Sequence, residues 1–227
     1  KPFVFIINYK QDGSYIEETN EINPAELLYN LNGFTNCQNI TTSRERNSSF
    51  LWQPHPTPFN RYHHSFNIVR GNILAGNSFL TNLTCSTPIS TNLTLEEIFY
   101  QSKAPYKLWI KNNFVCFSPE IFVRIQDGKI SAYPMKGTID ANTRNGKKTL
   151  MNNPKEIAEH ATITDLIRND LSIVAEQVQV LRYRYIDTVQ TNQGPILQTS
   201  TEICGQLPPD YNSHLGDILF RILPAGS

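Results

Sequence analysis

The 227-residue sequence lacks any apolar run long enough to span a membrane. Its apolar start, Phe3-Val4-Phe5-Ile6-Ile7, is too short for the core of a signal peptide with its cleavage site. Neither charge is in excess, because 20 lysines and arginines balance 20 aspartates and glutamates. Without a basic patch we expect no nucleic acid and no membrane as a partner. The sequence therefore predicts a soluble, cytoplasmic protein whose partner is a small molecule or another protein.

Residues that would build a local metal site or a disulfide framework are also scarce. Four cysteines lie far apart, with no Cys-x-x-Cys pattern, so we expect buried or inert thiols. His63 and His64 are neighbours, but adjacent helix positions point in different directions and no third ligand follows at metal spacing. Surface histidines are the better interpretation.

Two helices are indicated by pattern. Apolar residues from Phe59 to Ile73 recur in steps of three and four, which is one stripe of an amphipathic helix. Further along, Asn153-Pro154-Lys155-Glu156 supplies an N-cap, a proline at the first helical position and an acid three residues after the cap. This second helix should run from Pro154 to about Leu171.

The remaining elements are expected to be short. We predict helices at 26–29, at 95–100 and near 217–223, and a polar loop over 140–151. Strands are predicted for 3–8, 78–85, 108–117, 176–187 and 195–203. A chain of this length can bury one sizeable core, so we expect residues 1–227 to form one domain, or two closely packed lobes.

A β-hairpin around Asp127-Gly128 decides whether Glu120 and Lys136 can share a site. With a three-residue loop, Glu120 lies opposite Pro134 and Lys136 is its diagonal neighbour, roughly 7–8 Å away on the same face. A two-residue Asp-Gly turn shifts the register by one and places the two side chains on opposite faces. A shared site therefore requires the longer loop.

Lys136 follows an apolar strand and precedes Gly137. A partly desolvated amine loses its proton more easily and becomes a nucleophile, and the glycine lets a ligand approach the backbone. Taken alone, however, such a lysine is more often a solvated residue that discourages sheet pairing, and Glu120 alone would be an exposed carboxylate. Pattern and spacing leave both interpretations open.

Ordered motifs add a resemblance. The sequence contains Ser118-Pro119-Glu120, Pro134-Met135-Lys136-Gly137-Thr138, Glu159-His160, Asp165-Leu166-Ile167-Arg168-Asn169-Asp170-Leu171 and Pro224-Ala225-Gly226-Ser227. In this order they resemble the chorismate-utilising enzymes, whose family core corresponds to residues 77–227, with residues 1–76 as an N-terminal segment. The resemblance implies an α+β fold with large antiparallel β-sheets packed face to face and flanking helices, forming one chorismate-binding domain.

Within that family, the residue before Gly-Thr discriminates between activities. Anthranilate and isochorismate synthases carry alanine there, whereas aminodeoxychorismate synthases, component I, carry lysine, as this chain does at Lys136. The implied reaction is attack of the lysine amine on C2 of chorismate with loss of the C4 hydroxyl, followed by attack of ammonia at C4. Glu120 would protonate the departing hydroxyl. The product would serve 4-aminobenzoate and folate synthesis.

The resemblance also implies a ligand set. Glu159 matches a glutamate that helps to hold Mg²⁺, the expected cofactor, which in turn binds a substrate carboxylate. Ammonia would come from a glutamine amidotransferase partner. The residues expected to bind the substrate, chorismate, are Gly137, Thr138, Gln198, Gly226 and Ser227.

Two departures from the family limit what is carried over. Gln198 stands where the family usually has a histidine, and an amide cannot donate a proton as an acid at neutral pH. The family also continues beyond Pro-Ala-Gly-Ser with a second magnesium glutamate and residues that grip the substrate. We therefore expect a chain truncated at its C-terminal end, with little or no activity.

Three alternatives to a 4-aminating enzyme remain. The longer protein to which this chain is expected to belong could be an anthranilate synthase component I or an isochorismate synthase, which also act on chorismate. The third alternative is a non-catalytic fragment that only folds or binds a partner.

Overall fold

A computed structural model describes residues 1–37, 50–79, 81–118, 120–191 and 194–226. Within these ranges the chain forms strands and five α-helices. The strands are β1 Phe3–Ile7, β2 Ser14–Glu18, β3 Leu27–Leu31, β4 Phe34–Thr35, β5 Trp52–Pro54, β6 Ile89–Thr91, β7 Tyr106–Ile110, β8 Phe114–Ser118, β9 Arg124–Gln126, β10 Lys129–Ala132, β11 Met135–Asp140, β12 Glu176–Thr191 and β13 Gly194–Gln206. The helices are α1 Phe59–Leu74, α2 Leu95–Gln101, α3 Gly146–Asn152, α4 Pro154–Ser172 and α5 Leu215–Ile222.

The N-terminal half contains a four-stranded antiparallel sheet in the order β4-β3-β7-β8. Helix α2 packs on β7 and β8, and its Phe99 is fully buried with Leu28 and Trp109. Thr94 begins α2 with a capping box, since its hydroxyl accepts from the Glu97 amide and the Glu97 carboxylate accepts in return from the Thr94 amide. Two further strand pairs, β1–β2 and β5–β6, complete this half.

The C-terminal half contains a five-stranded antiparallel sheet built around β13. β10 and β11 pair with successive parts of one edge of β13, and the long strand β12 pairs with the other edge. A core of aliphatic side chains between this sheet, α4 and α5 includes Ile130, Leu171, Ile203 and Ile222. The α+β class with antiparallel sheets is therefore confirmed.

The second predicted helix is confirmed as α4, including its first turn. The Asn153 side chain accepts hydrogen bonds from the amides of Lys155 and Glu156, at 3.0 and 3.3 Å, so two amides that the helix cannot pair are satisfied. α4 then lies across β11, β12 and β13. Its position brings one helix face over the strand that contains Lys136.

The hairpin prediction was wrong in its loop. β9 and β10 pair Gln126 with Lys129 and Ile125 with Ile130, so the turn has two residues, Asp127 and Gly128. Both have positive φ, 51° and 74°, the combination that a two-residue turn matching the twist of its strands requires. This is the register that would separate Glu120 from Lys136 if both strands extended that far, but β9 begins only at Arg124.

Other local predictions had mixed outcomes. The strands at 3–8, 176–187 and 195–203 are confirmed, as are the helices at 59–73 and 95–100. The segment 108–117 forms two strands, because Asn112, with φ 55°, turns the chain between β7 and β8. The last predicted helix is present as α5, which begins two residues before the predicted region.

Three predictions were wrong. The segment predicted as a helix at 26–29 forms β3, because Leu27, Leu28 and Tyr29 are all buried and pair with β7. The described residues of 78–85 form no strand, and the predicted loop over 140–151 contains α3. In the described ranges, no helix combines the length and hydropathy needed to cross a membrane.

Candidate functional site

Lys136 lines a cavity of about 240 Å³ between the five-stranded sheet and α4. Its walls come from four parts of the chain: residues 118 and 120–122, residues 132–136, Ile163 and Ile167 of α4, and residues 225–226. Another cavity, of about 490 Å³, lies beside the Gly128 turn, but no predicted site residue lines it. The smaller cavity is therefore the candidate site.

Glu120 reaches this cavity from an irregular segment before β9. Its Oε1 accepts a hydrogen bond from the backbone amide of Met135 at 3.1 Å. The Ser118 hydroxyl holds the Glu120 backbone, since it accepts from the Glu120 amide at 3.0 Å and donates to the Glu120 carbonyl at 2.8 Å. Because Glu120 is outside the strand ladder, the short hairpin turn does not decide which way its side chain points.

The environment of the Glu120 carboxyl favours its protonated form. Partial desolvation raises its pKa above the usual value, and this outweighs the Met135 amide and the positive charge of Lys136, which both lower it. Glu120 as a residue remains exposed, so the site is open to solvent on one side. A carboxyl with a raised pKa beside an amine can act as a proton donor.

The part of the cavity wall that α4 forms is apolar. Ile163 and Ile167 are one helical turn apart, and both line the cavity together with Glu120. Ile163 is buried, whereas Ile167 is partly buried against the C-terminal core. Neither residue was predicted from the sequence to line the site. Their spacing from Glu159, four and eight positions, is the signal that could have found them.

The glycine after Lys136 is required by the backbone. The register of β11 against β13 slips between Lys136 and Thr138, and Gly137 has φ +78°. A Cβ atom at Gly137 would lie 2.6 Å from Oε2 of Glu156 and 3.3 Å from Cδ1 of Leu150. A bulge with close approach of α4 therefore follows the lysine directly.

Thr138 and Gln198, both predicted to bind substrate, are direct partners across β11 and β13. Lys136 is the partner of Thr199 instead. Because paired residues share a face and neighbours along a strand alternate, the bulge puts Lys136 and Thr138 on opposite faces of the sheet. The structure thus divides the predicted residues between two faces.

Gly226 lines the cavity with Lys136 and Glu120 and lies close to α4. A Cβ atom on Gly226 would come within 3.0 Å of Leu166 and 3.1 Å of the Asp170 carboxylate. The predicted substrate-binding residue Ser227 lies outside the described residues, as does Pro119 of the Ser-Pro-Glu motif.

Glu159, the predicted magnesium ligand, precedes Ile163 by one turn on the same helix face. Its carboxylate lies 3.3 Å from the Lys155 amine, which also lies 3.7 Å from Glu156. In the parts of the chain that the structure describes, no group of three or more histidine, cysteine or acidic side chains could hold a metal ion. Two carboxylates on one turn still fit Mg²⁺, which keeps several waters and shares its coordination with a ligand.

With this geometry established, the chain can be compared with known proteins. Residues 5–227 match the family described as chorismate binding enzyme. The chain belongs to that family. Both elements that line the Lys136 cavity, β11 and α4, lie within the matched residues.

Three similar proteins show how far the family likeness extends. An uncharacterized PabA-like protein of Haemophilus influenzae is 46% identical over 226 residues, which is 100% of this chain and 68% of that protein. A 2-amino-4-deoxychorismate synthase of Streptomyces globisporus is 44% identical over 122 residues, 48% of this chain and 22% of that protein. A Bacillus anthracis structure, provisionally assigned as a 2,3-dihydroxybenzoate-specific isochorismate synthase, has a TM-score of 0.56 at 17% identity and covers 94% of this chain.

The chain is shorter than these relatives. It spans about two thirds of the Haemophilus protein and about half of the solved structure, 68% and 55% respectively. At 17% identity the solved structure shows a shared fold only. It confirms the antiparallel α+β architecture predicted for a chorismate-binding enzyme.

Proposed function

We propose that this chain is the chorismate-binding part of a 4-amino-4-deoxychorismate synthase, a transferase that aminates chorismate at C4. The observation that supports this most strongly is the common cavity of Lys136 and Glu120. An amine and a carboxyl with a raised pKa face one space of suitable size for a small ring. Lysine at the position before Gly137-Thr138 is the residue that distinguishes this activity within the family.

In the first step, the neutral Lys136 amine forms a bond to C2 of chorismate. The ring double bonds shift, the C4–O bond breaks, and Glu120 gives its proton to the departing hydroxyl, which leaves as water. The Lys136 nitrogen is then a secondary ammonium, which keeps its protons so that it can leave as a neutral amine in the second step. Ile163 and Ile167 cover one side of the ring and limit the access of water.

In the second step, ammonia attacks C4, the double bonds shift back and the C2–N bond to Lys136 breaks. The Glu120 carboxylate takes up the proton that the new amine releases, so both groups return to their starting state. Glu159, with Glu156 beside it, would hold Mg²⁺, which when bound orients a substrate carboxylate. A glutamine amidotransferase would supply the ammonia, and the product would serve 4-aminobenzoate synthesis.

The covalent step can be tested by itself, because one adduct per molecule does not require the sustained turnover that we do not expect from this chain. The chain is incubated with chorismate and Mg²⁺ without ammonia, digested, and examined by mass spectrometry. We expect the mass of chorismate less one water on the peptide that contains Lys136, and none after Lys136→Met. Lys147→Met and Lys148→Met, on exposed residues of α3, are matched controls that should keep the adduct. An unmodified Lys136 would contradict the proposal.

Amination at C2 is the second candidate, and one comparison favours it. The Streptomyces relative, 44% identical over about half of this chain, is named for an amine at position 2. Such a reaction, like that of anthranilate synthase, needs no lysine adduct. The position of the amine in the product formed with ammonia, read by NMR, separates the two: an amine at C2 would refute our choice.

A further inference from the structure

Beneath Lys136 lies a group of polar side chains that the proposed reaction does not use. His160, Thr199 and Thr201 are all fully buried, at 0% exposure. Burying polar groups is unfavourable unless each finds a hydrogen-bond partner, so three of them in contact form a network that must be satisfied internally. The network joins α4 to the middle of β13.

One end of the network is anchored on β12. The Arg184 backbone amide donates to the Thr201 hydroxyl at 3.1 Å. The buried Arg184 guanidinium donates to the carbonyls of Leu150 and Met151 at the end of α3, at 3.3 and 3.0 Å. Arg184 has φ +49°, an unusual conformation for a residue other than glycine, at a bulge of β12. The anchor therefore joins β12 to α3, which packs on β11.

The hydrogen bonds assign the protons of His160. The Thr199 hydroxyl gives its own proton to the Lys136 carbonyl, so at 3.4 Å from Nδ1 it accepts the Nδ1 proton of His160. On the other side of the ring, Nε2 lies 2.6 Å from the Thr201 hydroxyl. That hydroxyl accepts from the Arg184 amide and has its own proton to donate to Nε2.

The other end of the network is the lysine itself. The Thr199 hydroxyl donates to the Lys136 carbonyl, and this bond lies where the β11 register slips. The hydrogen bonds thus form one continuous chain in which each group donates to the next. The order of the groups is Arg184, Thr201, His160, Thr199 and Lys136. No exposed group interrupts this sequence.

We propose that Thr199, together with His160 and Thr201, positions Lys136 for its reaction by holding the Lys136 carbonyl at the β11 bulge. The effect on the reaction of Lys136 rests on the proposed function, whereas the network itself rests on the hydrogen bonds. The hydrogen bond to the Lys136 carbonyl fixes the backbone at the bulge, and the backbone there sets the direction in which the Lys136 side chain leaves the strand. The amine is thereby directed into the cavity beside Glu120.

The test compares three threonine substitutions. Thr199→Val removes the hydroxyl but keeps the shape, and Thr199→Ser keeps the hydroxyl. Thr162→Val is the matched control, because Thr162 also donates to a backbone carbonyl, that of Ala158, but on the exposed side of α4. Far-ultraviolet circular dichroism and thermal unfolding establish that each variant folds.

The first measurement needs no activity. In ¹⁵N and ¹³C NMR spectra we expect a proton on Nδ1 of His160, and an upfield shift of the Lys136 carbonyl carbon in Thr199→Val alone. A His160 ring without a proton on Nδ1, or a carbonyl signal that Thr199→Val leaves unchanged, would overturn the network. If Thr199→Val does not fold, Thr201→Val, which removes the hydroxyl one step further away, should move the proton of His160 instead.

The second measurement is the rate of adduct formation on Lys136. At saturating chorismate, Thr199→Val should slow it about tenfold or more, since small displacements of a reacting group are costly. The chorismate concentration at half saturation should change little, and Thr199→Ser should restore the rate. An unchanged rate in Thr199→Val would refute positioning. If the unsubstituted chain forms no adduct, the proposed function is refuted. The NMR measurement then tests separately whether the hydrogen-bond network exists.

Discussion

Helices α1 and α4 have the same kind of sequence pattern and opposite surroundings. Both are amphipathic and of similar length, 16 and 19 residues. α4 buries His160, Ile163, Thr164 and Leu171. α1 buries none of its residues, and Phe59 at its start is 77% exposed. An apolar stripe therefore predicts which face of a helix can be buried, and not whether anything in the described structure covers it.

The aromatic side chains of α1 contact one another instead of a core. Tyr62 and Phe66 stack with ring centroids 6.2 Å apart, and Phe59 meets His63 edge-on at 5.5 Å. In α4, by contrast, the buried face packs on β11, β12 and β13. Isolated helices of this length are marginal in water, so α1 and α4 should respond differently to the same substitution.

The largest difference is expected for an isoleucine on each helix. Ile163→Ala on α4, where the side chain is 4% exposed, should lower the free energy of unfolding by about 2–5 kcal/mol. Ile68→Ala on α1, where the side chain is 53% exposed, should change it by about 0.5 kcal/mol or less. Urea unfolding followed by circular dichroism measures both. Equal losses would show that α1 is covered in solution.

A glycine substitution should have opposite effects in the two regions. Gly137→Ala places a Cβ 2.6 Å from the Glu156 carboxylate at a backbone φ of +78°, and should cost about 1–3 kcal/mol. Gly71→Ala lies within α1 with nothing within 4 Å, and should favour the helix locally by about 0.5–1 kcal/mol. Urea unfolding reports the first and ¹³Cα shifts of α1 the second. If Gly137→Ala is neutral, the bulge is not rigid.

The helix caps offer a smaller contrast. Asn153→Ala removes the acceptor of two amides and should destabilise α4 by about 1 kcal/mol. α1 begins after Pro58, whose side chain caps nothing. Pro58→Asp should therefore add a cap and raise the helical content of α1, seen in the same ¹³Cα shifts. The cap would be dispensable if Asn153→Ala left the unfolding midpoint unchanged.

The smallest expected effect is a dependence on pH that belongs to the Glu120 carboxyl of the cavity, and α1 has no carboxyl side chain to match it. Because the folded-state pKa of Glu120 is raised, its proton stabilises the folded protein below about pH 4.5, and this contribution is lost as the pH rises through the raised pKa. Glu120→Gln should remove that loss while it keeps an acceptor for the Met135 amide. Thermal unfolding of both proteins between pH 4 and 8 tests it: parallel curves would contradict the raised pKa.

The sequence predicted most helices and strands, but one prediction about the hairpin was wrong. It required a three-residue loop for Glu120 and Lys136 to share a site, whereas the turn has two residues. Glu120 and Lys136 still line one cavity, since Glu120 is not in a strand and reaches the Met135 amide from a loop held by Ser118. A register argument applies only to residues that belong to the ladder, and the sequence does not show where a strand begins to within a few residues.

The residues of the site divide in the same way. Lys136, Glu120 and Gly226 were predicted from motifs and line one cavity. Ile163, Ile167 and the Arg184 anchor were not predicted, because their roles depend on how α4 and β12 pack on β13. The likeness to chorismate-binding enzymes identifies the residues to examine, but it does not supply their contacts.

By itself the sequence determined the local features of this protein: the amphipathic stripe of α1, the Asn153 cap that begins α4, the Asp127-Gly128 turn position and the ordered motifs around Lys136. These depend on residues close together in the chain. Only the tertiary structure decided that α4 is buried while α1 is exposed, that the Gly137 bulge separates Lys136 from Thr138, and that Glu120 reaches Met135. Such outcomes depend on contacts between distant segments, and no local pattern encodes which partner a face will meet.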